Sequence, residues 1–133
     1  MSLEIRPYRK SDFEEIYSWW EEHNEPAPIR GMMVEDGTFV VEWDGKPVMT
    51  LTAFMTQSLE ISHLAALCSK PGTSKEIRSE CISALMHHCV NYLIKNRRRR
   101  FVMFADKAKL VKRYQELGLS IGESGLTVLG KEI

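Results

Sequence analysis

The sequence predicts an α/β chain, a mixed sheet with helices on its faces, and three observations carry that prediction. Apolar runs of strand character between Thr38 and Leu67 meet at Asp44-Gly45, the dipeptide that best marks a two-residue hairpin. From Ser74 to Asn96 the apolar residues recur at helical spacing instead. In order, the elements are strand, helix, irregular segment, three strands, helix, strand, helix and strand, which is not a doubly wound nucleotide-binding order.

Each element has its own local reason. A first strand is expected at Leu3 to Tyr8. In SDFEEIYSWWEEH, Ser11 or Asp12 can cap a helix with glutamates in its first turn, and Phe13, Ile16, Tyr17 and Trp20 carry it to about His23. The prolines and glycine of NEPAPIRG then break regularity, with an irregular connection as far as Asp36. Trp19 and Trp20 cannot both face one core, so one is expected to be exposed or covered by that connection. Strands are expected at Thr38 to Trp43 and Pro47 to Met55. A third run, Leu59 to Leu67, alternates Leu59, Ile61, His63, Ala65 and Leu67 on one face. LCSKPGTSKEI turns at Pro71-Gly72 and enters the long helix, which directs Ile77, Cys81, Leu85, His88 or Cys89, and Tyr92 to the sheet. RRFVMFA reads as a strand, KAKLVKRYQELG as a helix closed by Gly118, and LTVLGK as a last strand.

Composition excludes several function classes. A chain of 133 residues is most simply one domain, residues 1–133, and 44% hydrophobic with 27% charged residues is a globular balance. Eighteen basic residues balance eighteen acidic ones, which argues against a dedicated nucleic-acid binder. No apolar run is long enough to span a membrane, and MSLEIRPYRKSDF lacks the apolar segment of a signal peptide, so a cytoplasmic location is expected. Three cysteines, Cys68, Cys81 and Cys89, make no even disulfide framework, and reduced thiols are expected.

At KRYQELGLS the chain resembles the GNAT (Gcn5-related N-acetyltransferase) superfamily, whose tyrosine, leucine and glycine signature lies near its end. LEIRPYRKSDFEEI is similar to that family's first strand and helix, and nearly the whole chain follows its element order. The resemblance implies a GNAT-like fold, a mostly antiparallel sheet splayed between its fourth and fifth strands. It also implies acetyl-CoA bound in that opening, with Leu67 and Ser69 offering backbone to pantetheine. Gly72, Thr73, Ser74 and Lys75 would line the pyrophosphate, where free amides and a helix dipole favour an anion. The family's paired glycines are reduced here to Gly72, with Lys75 and Ile77 at the glycine positions; Lys70, Lys75 and Arg78 can supply charge instead. A plain alternative is a Pro-Gly turn followed by Thr73 or Ser74 as a helix cap. Worn motifs of this kind also resemble those of GNAT-like proteins of tailed phages, some expected to be structural. The resemblance therefore implies an acetyl-CoA-dependent N-acetyltransferase acting on a small amine or a peptide amine. Its alternative is a catalytically inactive interaction protein with a virion or host protein as partner, and a homodimer is compatible with either.

Acetyl transfer needs a base for the amine and an acid for the departing thiolate. By resemblance the acid is Tyr114, whose other reading is a core aromatic. His63 and Glu60, on opposite faces of the expected fourth strand, are the candidate bases, and His63 has the more suitable intrinsic pKa but also the position of a packed core histidine. The family's asparagine position falls near Asp106 or Lys107. His87, His88 and Cys89 are consecutive and point about 100° apart on a helix, so no metal site is expected. Lys95 and Arg97 to Arg100 form a dense basic run at a turn, read as solvated with phosphate attraction as the alternative.

Overall fold

Five strands form one sheet in the order β1-β2-β3-β4-β5: β1 Leu3–Pro7, β2 Thr38–Trp43, β3 Lys46–Met55, β4 Ser62–Ser69 and β5 Phe101–Val102. The structure is a computed structural model and describes residues 2–28, 30–105, 107–122, 124–125 and 129–131. Helices α1 (Phe13–Glu22), α2 (Lys75–Lys95) and α3 (Ala108–Glu116), with short 3-10 turns at Lys10–Asp12 and Arg30–Met32, complete the regular structure of the described residues. Two compact units are formed, Met1–Met103 with the sheet and the first two helices, and Phe104–Ile133 with α3. No helix among the described residues is long and apolar enough to cross a membrane.

Neighbouring strands are antiparallel from β1 to β4, and β4 with β5 is parallel. The hairpin forms where expected, with Asp44 (φ 50°) and Gly45 (φ 81°) supplying the positive φ angles of its two-residue turn. Strand alternation divides the core. Val40, Thr50 and Cys68 lie side by side on one face, where Val40 and Cys68 join Tyr8, Phe13, Ile16, Trp19 and Met33 in a buried cluster. The opposite face carries Phe39, whose ring meets His88 and Tyr92 of α2 edge-on at 4.6 and 5.1 Å. Helices α1 and α2 therefore cover opposite faces of the sheet. Trp19 is buried and Trp20 is partly buried against the same cluster.

Several boundaries correct the sequence reading. Asp12 stands at the N-cap of α1, but its carboxylate makes no cap bond to the helix; it accepts the Arg9 amide at 2.8 Å and a two-pronged bond from Arg6. The strand expected from RRFVMFA is only Phe101–Val102, since a strand persists only where a ladder exists to hold it. The run from Leu59 is regular only from Ser62. Leu59 and Ile61 are exposed, and Ser62, Leu64 and Cys68, not His63 and its alternates, are the buried residues of β4. A strand apolar on both faces cannot announce its phase, and a bulge changes that phase midway. The expected strand at Leu126 to Lys131 begins with three residues outside the described set, and Asp106 also lies outside it.

Helix α2 is capped as its sequence suggests, the Ser74 hydroxyl accepting the Ile77 amide at 3.2 Å. At the end of α3, Leu119 N–H reaches Tyr114 O and Gly118 N–H reaches Gln115 O, both at 3.0 Å, with Gly118 at φ 97°. This paired closure is the reason a glycine follows the helix.

All three cysteines are free and buried. Burial pushes the thiols of Cys68, where the charge of Glu25 adds, and Cys89 up to about 12, and does the same to the phenols of Tyr92 and Tyr114. Their ordinary values are 9.0 for the thiols and 10.0 for the phenols. The folded protein thus holds protons that the unfolded chain releases, and stability present below pH 9 should be lost between about 9 and 12. Melting temperatures measured across that window should fall with pH, and less steeply for Cys89→Ala.

Candidate functional site

Among the described residues, the outer edge of β4 is paired over only a short part of its length. Pairing with β5 is confined, among the described residues, to Ser62 with Phe101 and His63 with Val102. From Leu64 to Ser69 that edge leaves backbone groups for another partner, except Ser69 O, which His23 Nε2 takes. In the same stretch the ladder to β3 is interrupted: one residue separates Thr50 from Thr52, but two separate Ala65 from Cys68. The extra residue is a bulge, and Ala66 within it takes φ 58°, an uncommon angle for a side chain bearing Cβ. Leu67 thus sits at the point where peptide groups turn out of the regular ladder.

Beyond Ser69 the chain makes the turn that LCSKPGTSKEI announced. Thr73 N–H returns to Lys70 O at 3.2 Å, and Gly72 at φ 83° fills the position that such a turn reserves for glycine. Thr73 Oγ1 donates to Lys70 O at 2.7 Å, so this hydroxyl braces the turn. Ser74 caps the helix, and Arg78 N–H makes the first bond back to Ser74 O at 2.9 Å. The amides of Lys75 and Glu76 remain at the positive end of a 21-residue helix, flanked by the exposed side chains of Lys70, Lys75 and Arg78. The stretch both caps a helix and presents donors to an anion. Only the Ile77 amide is consumed by the cap.

One contributor escaped sequence reasoning. His23, just past α1, places Nε2 2.7 Å from Ser69 O, tying that helix end to the end of β4. A carbonyl can only accept, so Nε2 carries the proton. No periodicity relates residue 23 to residue 69. Cys68 beside it is inert as a nucleophile, because its thiol is held protonated.

The candidate acid and bases are placed very differently. His63 lies on β4 three residues before the bulge, half-buried, and burial holds its imidazole below the ordinary 6.5, neutral at pH 7. Glu60 is not on β4 as expected; it lies in the preceding turn, exposed, with Arg99 Nε at 3.6 Å and an Arg100 nitrogen at 3.8 Å from its carboxylate. Tyr114, on α3 in the second unit, is 5% exposed, and burial keeps its phenol protonated.

The remaining motifs resolve into packing. His87 bonds Asn91 at 3.2 Å while His88 packs on Phe39 and Cys89 is buried, so the three diverge. Of the arginine run, Arg98 donates to Thr56 O at 2.7 Å and Ser58 O at 2.5 Å, and so clamps the loop before β4.

No family model matches this sequence, and no curated protein matches it. The fold is nevertheless shared with solved structures. Ard1 from Thermoplasma volcanium aligns with a TM-score of 0.74 at 14% identity, over 92% of this chain and 86% of that one. An aminoglycoside acetyltransferase from an uncultured soil metagenomic sample, solved with sisomicin, aligns with a TM-score of 0.74 at 13% identity, over 98% and 97%. Rv2747 from Mycobacterium tuberculosis, solved with CoA and NLQ, aligns with a TM-score of 0.70 at 13% identity, over 93% and 76%. The likeness is one of fold, the GNAT fold, with its antiparallel sheet and a parallel last pair.

Proposed function

We propose that this protein is an N-acyltransferase that uses acetyl-CoA and passes the acetyl group directly to a small amine or to an amine of a peptide or protein. One observation carries the reading: a single strand, β4, presents in succession a half-buried neutral imidazole, a bulge on an open edge, and a turn ending in free helix amides. An elongated ligand with amides along its arm and phosphates at one end matches that succession.

Leu67 and the open edge up to Ser69 would hold the arm; the Gly72 turn, the Lys75 and Glu76 amides and the charges of Lys70, Lys75 and Arg78 would hold the phosphates. Bound there, the cofactor supplies a thioester, an acyl group on a good leaving group. His63 takes the proton that the amine must lose, since burial keeps its ring neutral. By the family resemblance, Tyr114 Oη would be the proton donor for the departing sulfur, a role its protonated state permits. Direct transfer is favoured over a cysteine-bound intermediate, because Cys68, Cys81 and Cys89 are buried with raised pKa values.

Calorimetric titration with acetyl-CoA tests the reading. Binding in the micromolar range is expected, weakened roughly tenfold by Lys75→Glu, which puts a like charge near the phosphates. No heat up to about millimolar cofactor, with an unchanged melting temperature, would overturn it in favour of a non-catalytic partner-binding protein.

A further inference from the structure

The Arg99–Arg100 segment was left without a task by the site above, and its surroundings give it one. Two strips run side by side at the start of β4: Arg99 N–H donates to Leu59 O at 3.2 Å, Ser62 N–H donates to Arg100 O at 3.1 Å, and His63 pairs with Val102. Together they form a lip at the end of β4 opposite the Gly72 turn, with the bulge between. Leu59, Ile61 and Val102 are 52%, 38% and 40% exposed on it, so three aliphatic side chains face solvent beside the arginines. The guanidinium groups of Arg99 and Arg100 converge on one carboxylate, Glu60, at 3.6 and 3.8 Å. Those separations exceed a direct charged hydrogen bond, and all three side chains are more than half exposed. Glu60 is therefore held only loosely between the two guanidinium groups.

We propose that this lip binds an acidic segment of polypeptide, with Arg99 and Arg100 taking its carboxylates, Leu59, Ile61 and Val102 its aliphatic side chains, and Glu60 standing in until it is displaced. This inference names the acceptor class of the proposed transferase and rests on that reading: a peptide held here lies next to His63 and leads toward the bulge. The charge argument is local. Residues 95–100 carry five cations in a chain whose net charge is zero. A protein chain is favoured over nucleic acid because the exposed side chains set among the arginines are aliphatic, which suits peptide side chains better than stacked bases.

Fluorescence anisotropy with a short labelled peptide of Glu and Leu tests it, alongside a Lys-and-Leu counterpart and duplex DNA. The acidic peptide should bind, Arg99→Ala/Arg100→Ala should weaken it at least about tenfold, and Glu60→Gln should tighten it several-fold by removing the internal competitor. Both changes are at exposed side chains, and unchanged melting curves would verify that folding is intact. No binding at about millimolar protein, an unaffected double variant, or a Glu60→Gln variant that binds no tighter would overturn the proposal. Equal or tighter binding of DNA would overturn it in favour of a nucleic-acid surface. The acetyl-CoA titration separates the two readings: peptide binding without cofactor binding keeps the lip and removes the transferase, while cofactor binding without peptide binding removes the lip alone.

Discussion

A Tyr114→Phe variant is expected to lose acetyl transfer by roughly two to three orders of magnitude while binding acetyl-CoA within about twofold of the parent. The substitution deletes one oxygen from a side chain that is 5% exposed, so the ring continues to fill its place. What disappears is the hydroxyl that the proposed reaction would use as its proton donor. Because burial pushes the phenol up to about 12, the parent should show no alkaline loss of rate from this group until well above pH 10. On the proposed reading the acid limb would belong to His63 and lie below its ordinary 6.5, since burial lowers that group and protonation would remove the base. Steady-state kinetics across pH, paired with calorimetry, measure both. A Tyr114→Phe enzyme with undiminished kcat would remove Tyr114 from the reaction and return it to the core aromatic that its burial equally describes.

The second large effect concerns stability. Arg6→Ala should cost about 2–4 kcal/mol and lower the melting temperature by roughly 10 °C. Arg6 bonds both oxygens of Asp12 at 2.8 Å and Glu42 Oε2 at 2.7 Å, joining β1 to the start of α1 and to β2. All three side chains are largely withdrawn from water, so removing the guanidinium strands two carboxylates. Burial pushes the Asp12 carboxyl up, but its bonds from Arg6 and the Arg9 amide outweigh this and leave it below the ordinary 3.8. Its stabilisation is thus present above about pH 4 and is lost as pH falls through the lowered value. Denaturant titrations of both proteins at neutral pH and near pH 3 should show the gap between them narrowing in acid. An equal gap at both pH values would assign the loss to packing of the arginine stem.

Much of this fold was legible without coordinates, because its signals are local. The Asp44-Gly45 hairpin, the Ser74 cap, the turn at Gly72 and the closure at Gly118 each depend on a few adjacent residues with restricted backbone choices. The 21 residues of α2 repeat their apolar positions often enough to define one buried face. The order of elements followed, while the expectation of a sheet that parts beside its fourth strand came from the family resemblance.

What escaped the sequence is whatever depends on pairing between distant segments. The face of β4 was misjudged because both of its sides are apolar and a bulge at Ala66 shifts the alternation, a shift visible only in the register with β3. Glu60 lies in the turn before the strand, and nothing local marks Ser62 as the first paired residue. The arginine run looked like a solvated turn, yet its partners, Thr56, Ser58 and Glu60, lie about forty residues earlier. The bond from His23 to Ser69 spans 46 residues. Local propensity can determine a turn, a cap or a helix face. Only the closed sheet decides which strand edge stays open, which charge meets which, and therefore where a ligand can be held.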